Sequence, residues 1–167
     1  LISAPPGYGK TTIAAQFDQM TTAPVAWHTV EERERDVPNL HTQCLVALDT
    51  IIPGIANQTA AAGFAPGEMA AIIANYLREN LTHDIVYILA DVQNLAGSPA
   101  AETWLRSLVT MLPKTCHLIV ISRILPDLPL TEMIARREVL AIGQQELQFT
   151  SDEIEVLTSE MLGGEKP

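Results

Sequence analysis

Apolar positions along the chain fall into short continuous runs separated by longer stretches with helical spacing, which is the pattern of βαβ units around a parallel sheet. Leu1-Ile2-Ser3 reads as the end of a first strand. Ile13, Phe17 and Met20 follow at i, i+4 and i+7, one face of a helix. Val25 to Val30 predicts a second strand after Pro24, and Leu40 to Ile52 a helix broken at Pro53. Pro53 to Pro66 is rich in alanine and glycine without a period. It reads as a loop longer than compact domains usually carry. Met69, Ile72, Ile73, Tyr76 and Leu77 form the next helical stripe. Ile85 to Leu89 is a continuous apolar run, as in a central parallel strand buried on both faces. Ser98-Pro99 opens a further helix, with serine as cap and proline in the first turn. Leu105, Leu108, Val109 and Leu112 continue that helix up to Pro113. His117 to Ser122 predicts a fourth strand and Glu138 to Ile142 a fifth. In the last helix Thr150 and Glu153 form a capping box, Phe149 and Ile154 are spaced for a hydrophobic staple, and Gly163-Gly164 ends it.

The chain has 167 residues, 47% of them apolar, which suits one domain with a full core. No apolar run approaches the roughly 18 residues of a membrane span, and no signal peptide is readable. Because the chain opens on the apolar Leu1-Ile2, as if in mid-strand, it is read as a piece of a longer protein. Cys44 and Cys116 lie in apolar surroundings without metal-ligand spacing, which predicts buried, reduced thiols in a cytosolic protein. A net charge of −10 argues against this piece gripping nucleic acid through phosphates. It does not exclude a nucleotide, because screening confines exposed charges to about 8 Å and the local field decides.

The local chemistry lies in Ala4-Pro5-Pro6-Gly7-Tyr8-Gly9-Lys10-Thr11-Thr12, which matches the phosphate-binding P-loop with Ala4 in place of the usual first glycine. Glycines let the backbone turn its N–H groups inward around phosphate oxygens without a Cβ in the way. The following helix points its positive end at the same place. In this reading Pro6, Gly7, Tyr8, Gly9, Lys10, Thr11 and Thr12 hold ATP or ADP. Lys10 reaches the β- and γ-phosphates, and the Thr11 hydroxyl completes a Mg²⁺ shell. The competing reading is a Pro-Gly turn before a helix that happens to carry lysine.

P-loop enzymes carry a second acid at the end of an apolar strand, and Val86-Tyr87-Ile88-Leu89-Ala90-Asp91 is the one good candidate. Asp91 is read as a metal-shell and catalytic residue, against a solvated carboxylate or helix cap. Ile121-Ser122-Arg123 ends the next strand at the edge where open α/β sheets bind ligands. Arg123 is read as a γ-phosphate sensor through a charge-assisted bond, against a plain surface arginine.

These segments, with Val25-Ala26-Trp27, then Pro126, Leu128, Pro129 and Leu130, then Glu146-Leu147-Gln148-Phe149-Thr150, occur in an order that resembles the ATP-binding module of STAND-class bacterial transcriptional regulators. These are large activators related to the maltose-regulon activator, of LuxR type or with a bacterial transcriptional activator domain. The resemblance covers residues 1 to about 160. It implies a P-loop NTPase fold, a three-layer α/β sandwich whose mainly parallel five-stranded sheet places the Arg123 strand between the P-loop strand and the Asp91 strand. It implies a nucleotide-binding domain over 1–143 and the start of a following helical region over 144–167. It further implies an ADP-bound resting state and an ATP-bound, assembly-competent one, with sensor and DNA-binding domains elsewhere in the same chain. The family carries two adjacent acids after the apolar strand. Here the first position is Ala90, which puts hydrolysis in doubt more than binding.

Two other classes fit less well. A small-molecule or nucleotide kinase needs an acceptor pocket and an arginine-bearing lid, which the alanine-rich loop does not offer. A pseudo-ATPase scaffold would bind no nucleotide at all. His28, His41, His83 and His117 show no ligand spacing and read as strand-end or surface residues, and Glu31 to Asp36 as a solvated loop. Arg136-Arg137 is too short for a nucleic-acid patch.

Overall fold

The computed structural model describes residues 1–58 and 63–161. Its centre is β3 (Ile85–Ala90), buried along its whole length because it has neighbours on both edges and both faces. It pairs in parallel with β2 (Val25–Thr29) on one side and with β4 (Cys116–Ser122) on the other. β1 (Ile2–Ser3) lies beyond β4, giving the order β1-β4-β3-β2. The chain is thus an α/β protein with a parallel sheet. The strand before Arg123 stands between the strand before the glycine-rich loop and the strand before Asp91.

Successive strand residues face opposite sides. Tyr87, Leu89 and Ala26 enter the larger core with α2 (Val37–Asp49), α3 (Pro66–Asn80) and α4 (Pro99–Met111). Val86, Ile88 and Ala90 enter a smaller one with Ile2, Ile121 and Ala14 of α1 (Lys10–Met20). Local sequence sets the helix starts. Ser98 Oγ accepts from the Ala101 N–H at 3.4 Å, and Asp36 caps α2 through the Asn39 N–H at 3.3 Å. The capping box of α6 (Ser151–Met161) forms, with Glu153 accepting from the Thr150 N–H at 2.7 Å and Thr150 from the Glu153 N–H at 3.3 Å. The intended staple residues Phe149 and Ile154 both remain exposed. A short helix, α5 (Leu130–Ala135), follows Arg123 where no apolar stripe announced one.

Two expectations need correction. Among the described residues the sheet has four strands, and the predicted fifth, Glu138 to Ile142, is reduced to a single parallel bridge between Ile142 and Ile2. The Leu1 amino group donates to the Leu140 carbonyl at 2.8 Å, and the Ile142 N–H to Leu1 at 2.8 Å. With the Ser3 N–H donating to the Ile142 carbonyl at 2.9 Å, these contacts span Leu1 to Ser3. A groove of about 1040 Å³ lies beside this segment, lined among others by Leu1, Ile13, Phe17, Leu118, Leu130 and Leu140. The stripe Ile13, Phe17, Met20 does not face the core. α1 turns Lys10 and Ala14 inward and leaves Ile13 and Phe17 39% and 42% exposed. A small residue at the contact lets helix and loop approach the strands closely. The loop after α2 contains a 3₁₀ turn, Ile55–Asn57, with Ile55 fully buried. The Asp49 carboxylate anchors it by accepting from the Gly54 and Ala56 N–H groups at 2.8 and 3.1 Å. Part of that loop, 59–62, and Gly163-Gly164 lie outside the described residues. Among those described, no helix is long and apolar enough to cross a membrane.

Candidate functional site

The segment after β1 turns sharply at two glycines, Gly7 at φ +88° and Gly9 at φ +69°, both in the left-handed region where a side chain is strained. A Cβ built on either would meet no atom within 4 Å, so the glycines serve the backbone conformation and border open space. α1 then starts without a side-chain cap and with no acid in its first turn. Among the described residues, no acceptor meets the backbone N–H groups of Lys10, Thr11 or Thr12, and the first helical bond runs from Ile13 to Gly9 at 2.9 Å. A helix start with bare N–H groups carries a partial positive charge that favours anions.

Lys10 is the buried cation of this loop. Its ammonium donates to the Pro5 carbonyl at 2.8 Å, and no carboxylate among the described residues pairs with it. Burial lowers its pKa first, the positive charge of Arg123 lowers it further, and Asp91 opposes both. Lys10, Arg123 and Asp91 therefore share one electrostatic neighbourhood at the C-terminal edge of the sheet. Thr11, Thr12, Pro6, Gly7 and Gly9 are exposed there. Tyr8 turns its hydroxyl away to accept from Gln144 Nε2 at 2.8 Å, tying the loop to the segment that leads to α6.

Asp91 follows β3 in a left-handed conformation, φ 55° and ψ 36°, and begins a 3₁₀ turn, Val92–Leu95. Its side chain makes no capping bond there. Arg123 Nε lies 3.9 Å from Asp91 Oδ1, with both side chains substantially exposed, so the pair by itself contributes little stability. Ala90, the residue before Asp91, is only 4% exposed and belongs to the small core with Ala14. It therefore faces the side of the sheet that carries α1, which Asp91 does not replace. Among the described residues no three His, Cys, Asp or Glu side chains converge as a metal site. Mg²⁺ held largely by phosphates and water needs only one or two protein oxygens. Thr11 and Asp91 are the oxygens predicted for it, and the loop beside them is open, with bare backbone N–H groups.

The sequence reading missed two features. Gln93 sits between Asp91 and Arg123 and bonds to both. His28 and Glu34, read as strand-end and solvated residues, are both buried, 7% and 1% exposed, and their Nε2 and Oε2 atoms are 2.7 Å apart. Neither atom has a well-aligned hydrogen bond. Tyr87 Oη and Cys44 Sγ each lie 3.3 Å from the other ring nitrogen of His28. Burial pushes the Cys44 thiol far up and the Cys116 thiol up to about 12, so neither is a nucleophile. The available signal for His28 was its phase, since it shares the inward positions of β2 with Ala26. His41 is buried as well, on α2.

Burial lowers the pKa of both histidines, against opposing pulls from Glu34 and Glu31 on His28 and from the Gln58 carbonyl on His41. Between the lowered folded values and the ordinary value of about 6.5, the unfolded chain binds more protons than the folded one. Stability should be full above about pH 6.5 and fall as the pH drops below it. Urea midpoints at pH 7.5, 6.5 and 5.5 check this, and a midpoint constant over that range contradicts it.

A comparison with protein-family models finds no match.

Proposed function

We propose that this chain is an ATP- and ADP-binding switch module of a signal-responsive bacterial transcriptional regulator, of the STAND class that its motifs resemble, with slow hydrolysis. One observation carries the reading. The Gly7–Gly9 loop opens α1 with bare N–H groups, and the buried Lys10 stands beside them without a carboxylate partner.

The residues divide the work. Backbone N–H groups from Gly7 to Thr12 cradle phosphate oxygens, and Lys10 exchanges the Pro5 carbonyl for a phosphate oxygen. Arg123, on the neighbouring strand end, reads the terminal phosphate. Thr11 and Asp91 hold the cation shell, where bound Mg²⁺ neutralises charge on the phosphates. Calorimetric titration with Mg-ATP and Mg-ADP tests the proposal directly. Heat of saturable, one-to-one binding is expected for both, and no binding of either withdraws it. The DNA-binding and sensor parts belong elsewhere in the same full-length chain. Nucleotide-dependent self-association is the form the output takes.

Slow turnover follows from Ala90. Hydrolysis requires a cation shell in register and a water oriented for in-line attack, and Asp91 is one acid for two tasks. Ala90→Asp places a carboxylate on the α1 side of β3. It should raise single-turnover hydrolysis while changing ATP affinity only modestly. Because position 90 is buried, the variant should also melt at lower temperature without Mg-nucleotide and recover with it. Equal hydrolysis by both proteins shows that Asp91 alone suffices.

A further inference from the structure

The β3–β4 ladder ends at the pair Leu89–Val120, and the strand ends that carry Asp91 and Arg123 lie beyond it. One side chain spans this gap. Gln93 Nε2 donates to Asp91 Oδ1 at 2.8 Å, and Gln93 Oε1 accepts from the Arg123 backbone N–H at 3.0 Å. The orientation of the amide is fixed by its partners, because an N–H must meet the oxygen and a carboxylate the nitrogen. A primary amide of this length offers one donor and one acceptor to the two groups at once.

The turn that bears Gln93 is held by other contacts. Val92 and Leu95 are each 2% exposed, Asn94 Nδ2 donates to the Val30 carbonyl at 2.8 Å, and Arg35 Nε donates to the Asn94 carbonyl at 2.9 Å. Removing the Gln93 side chain thus removes the bridge and leaves the turn. The bridge also has a defined electrostatic effect. It tethers the Asp91 carboxylate to the Arg123 backbone, with Arg123 Nε 3.9 Å from Oδ1, outside hydrogen-bond range. Without that tether the carboxylate is free to turn toward the guanidinium and form a direct ion pair, and each group would then neutralise the other.

We propose that Gln93 is a positioning residue that holds Asp91 and Arg123 apart and available, and so sets how strongly the edge prefers a nucleoside triphosphate over a diphosphate. This rests on the nucleotide-binding reading above. It adds to that reading a residue outside the phosphate loop on which selectivity depends.

The test uses three variants of the whole chain, Gln93→Ala, Gln93→Leu and Gln93→Glu, with two readouts. Without nucleotide, hydrogen exchange at the Arg123 amide should accelerate in the alanine and leucine variants. It should stay slower in Gln93→Glu, which keeps an acceptor. With nucleotide, the ATP-to-ADP affinity ratio should fall about tenfold in the alanine and leucine variants, the effect of one charge-assisted contact, while ADP affinity stays unchanged. A ratio that survives in both of these variants overturns the inference, as does an equal loss for the two nucleotides or unaltered exchange at Arg123. If the unmodified chain binds neither nucleotide, the nucleotide reading fails and takes this inference with it. Binding with an unaltered ratio sinks the inference alone.

Discussion

His28→Leu should lower the unfolding free energy by about 3–5 kcal/mol, the cost of removing one member of a buried polar pair. Glu34 is 1% exposed, and its remaining contact is Oε1 accepting from the Glu31 N–H at 3.0 Å. Leucine fills the volume of the imidazole and offers the Glu34 carboxyl nothing. Tyr87 Oη and Cys44 Sγ lose the ring nitrogen they both approach. For a chain of this size each kcal/mol shifts the melting temperature by about 2–4 °C, so a fall of roughly 6–20 °C is expected. The double variant His28→Leu/Glu34→Leu should recover much of it, because replacing both members of a buried pair is far less harmful than orphaning one. Thermal melts of wild type and the two variants decide the matter. A single variant as stable as wild type would falsify the view that His28 compensates Glu34.

Lys10→Ala should weaken Mg-ATP and Mg-ADP together. A lysine–phosphate contact is a charge-assisted bond of about 1.5–3 kcal/mol, which corresponds to about 10- to 150-fold in affinity. In the protein alone the substitution removes the bond to the Pro5 carbonyl and the packing of a buried stem. It also relieves a desolvated charge next to Arg123, which offsets part of that loss. A loss of affinity for both nucleotides well beyond any loss of stability separates a ligand-binding lysine from a structural one. Calorimetry and a thermal melt on the same preparations read both. Equal nucleotide affinity in the two proteins removes the phosphate-loop hypothesis.

Much of this architecture was legible because its causes are local. Gly7 and Gly9 needed only their own sequence to imply a turn opening a helix, and the structure gives both a positive φ. The apolar run at Ile85 implied a strand covered on both faces, and β3 is buried throughout. Ser98-Pro99 and the Thr150/Glu153 pair announced helix starts through contacts spanning three residues. Where periodicity misled, the partner surface was the missing term. Ile13, Phe17 and Met20 do share a helix face, but α1 packs through Ala14, because the loop and Lys10 require close approach to the strands.

The glycine-rich loop before α1, the alternation of strands and helices, and the strand ends that carry Asp91 and Arg123 could all be read from the residues. The family resemblance had implied the place of the Arg123 strand between its two neighbours, whereas the reduction of the fifth strand to one bridge and the partnerships of the polar side chains came from the folded chain. Gln93 meets the Arg123 amide across 30 residues, and His28 meets Tyr87 across 59. The physical reason is one of range. Helix caps, turns and hydrophobic periods are set by neighbours a few residues away. The burial of a polar group is set by which distant segments fold over it, so Glu34, drawn from a run of charges that looked solvated, lies inside the protein because His28 and the sheet edge are there to receive it.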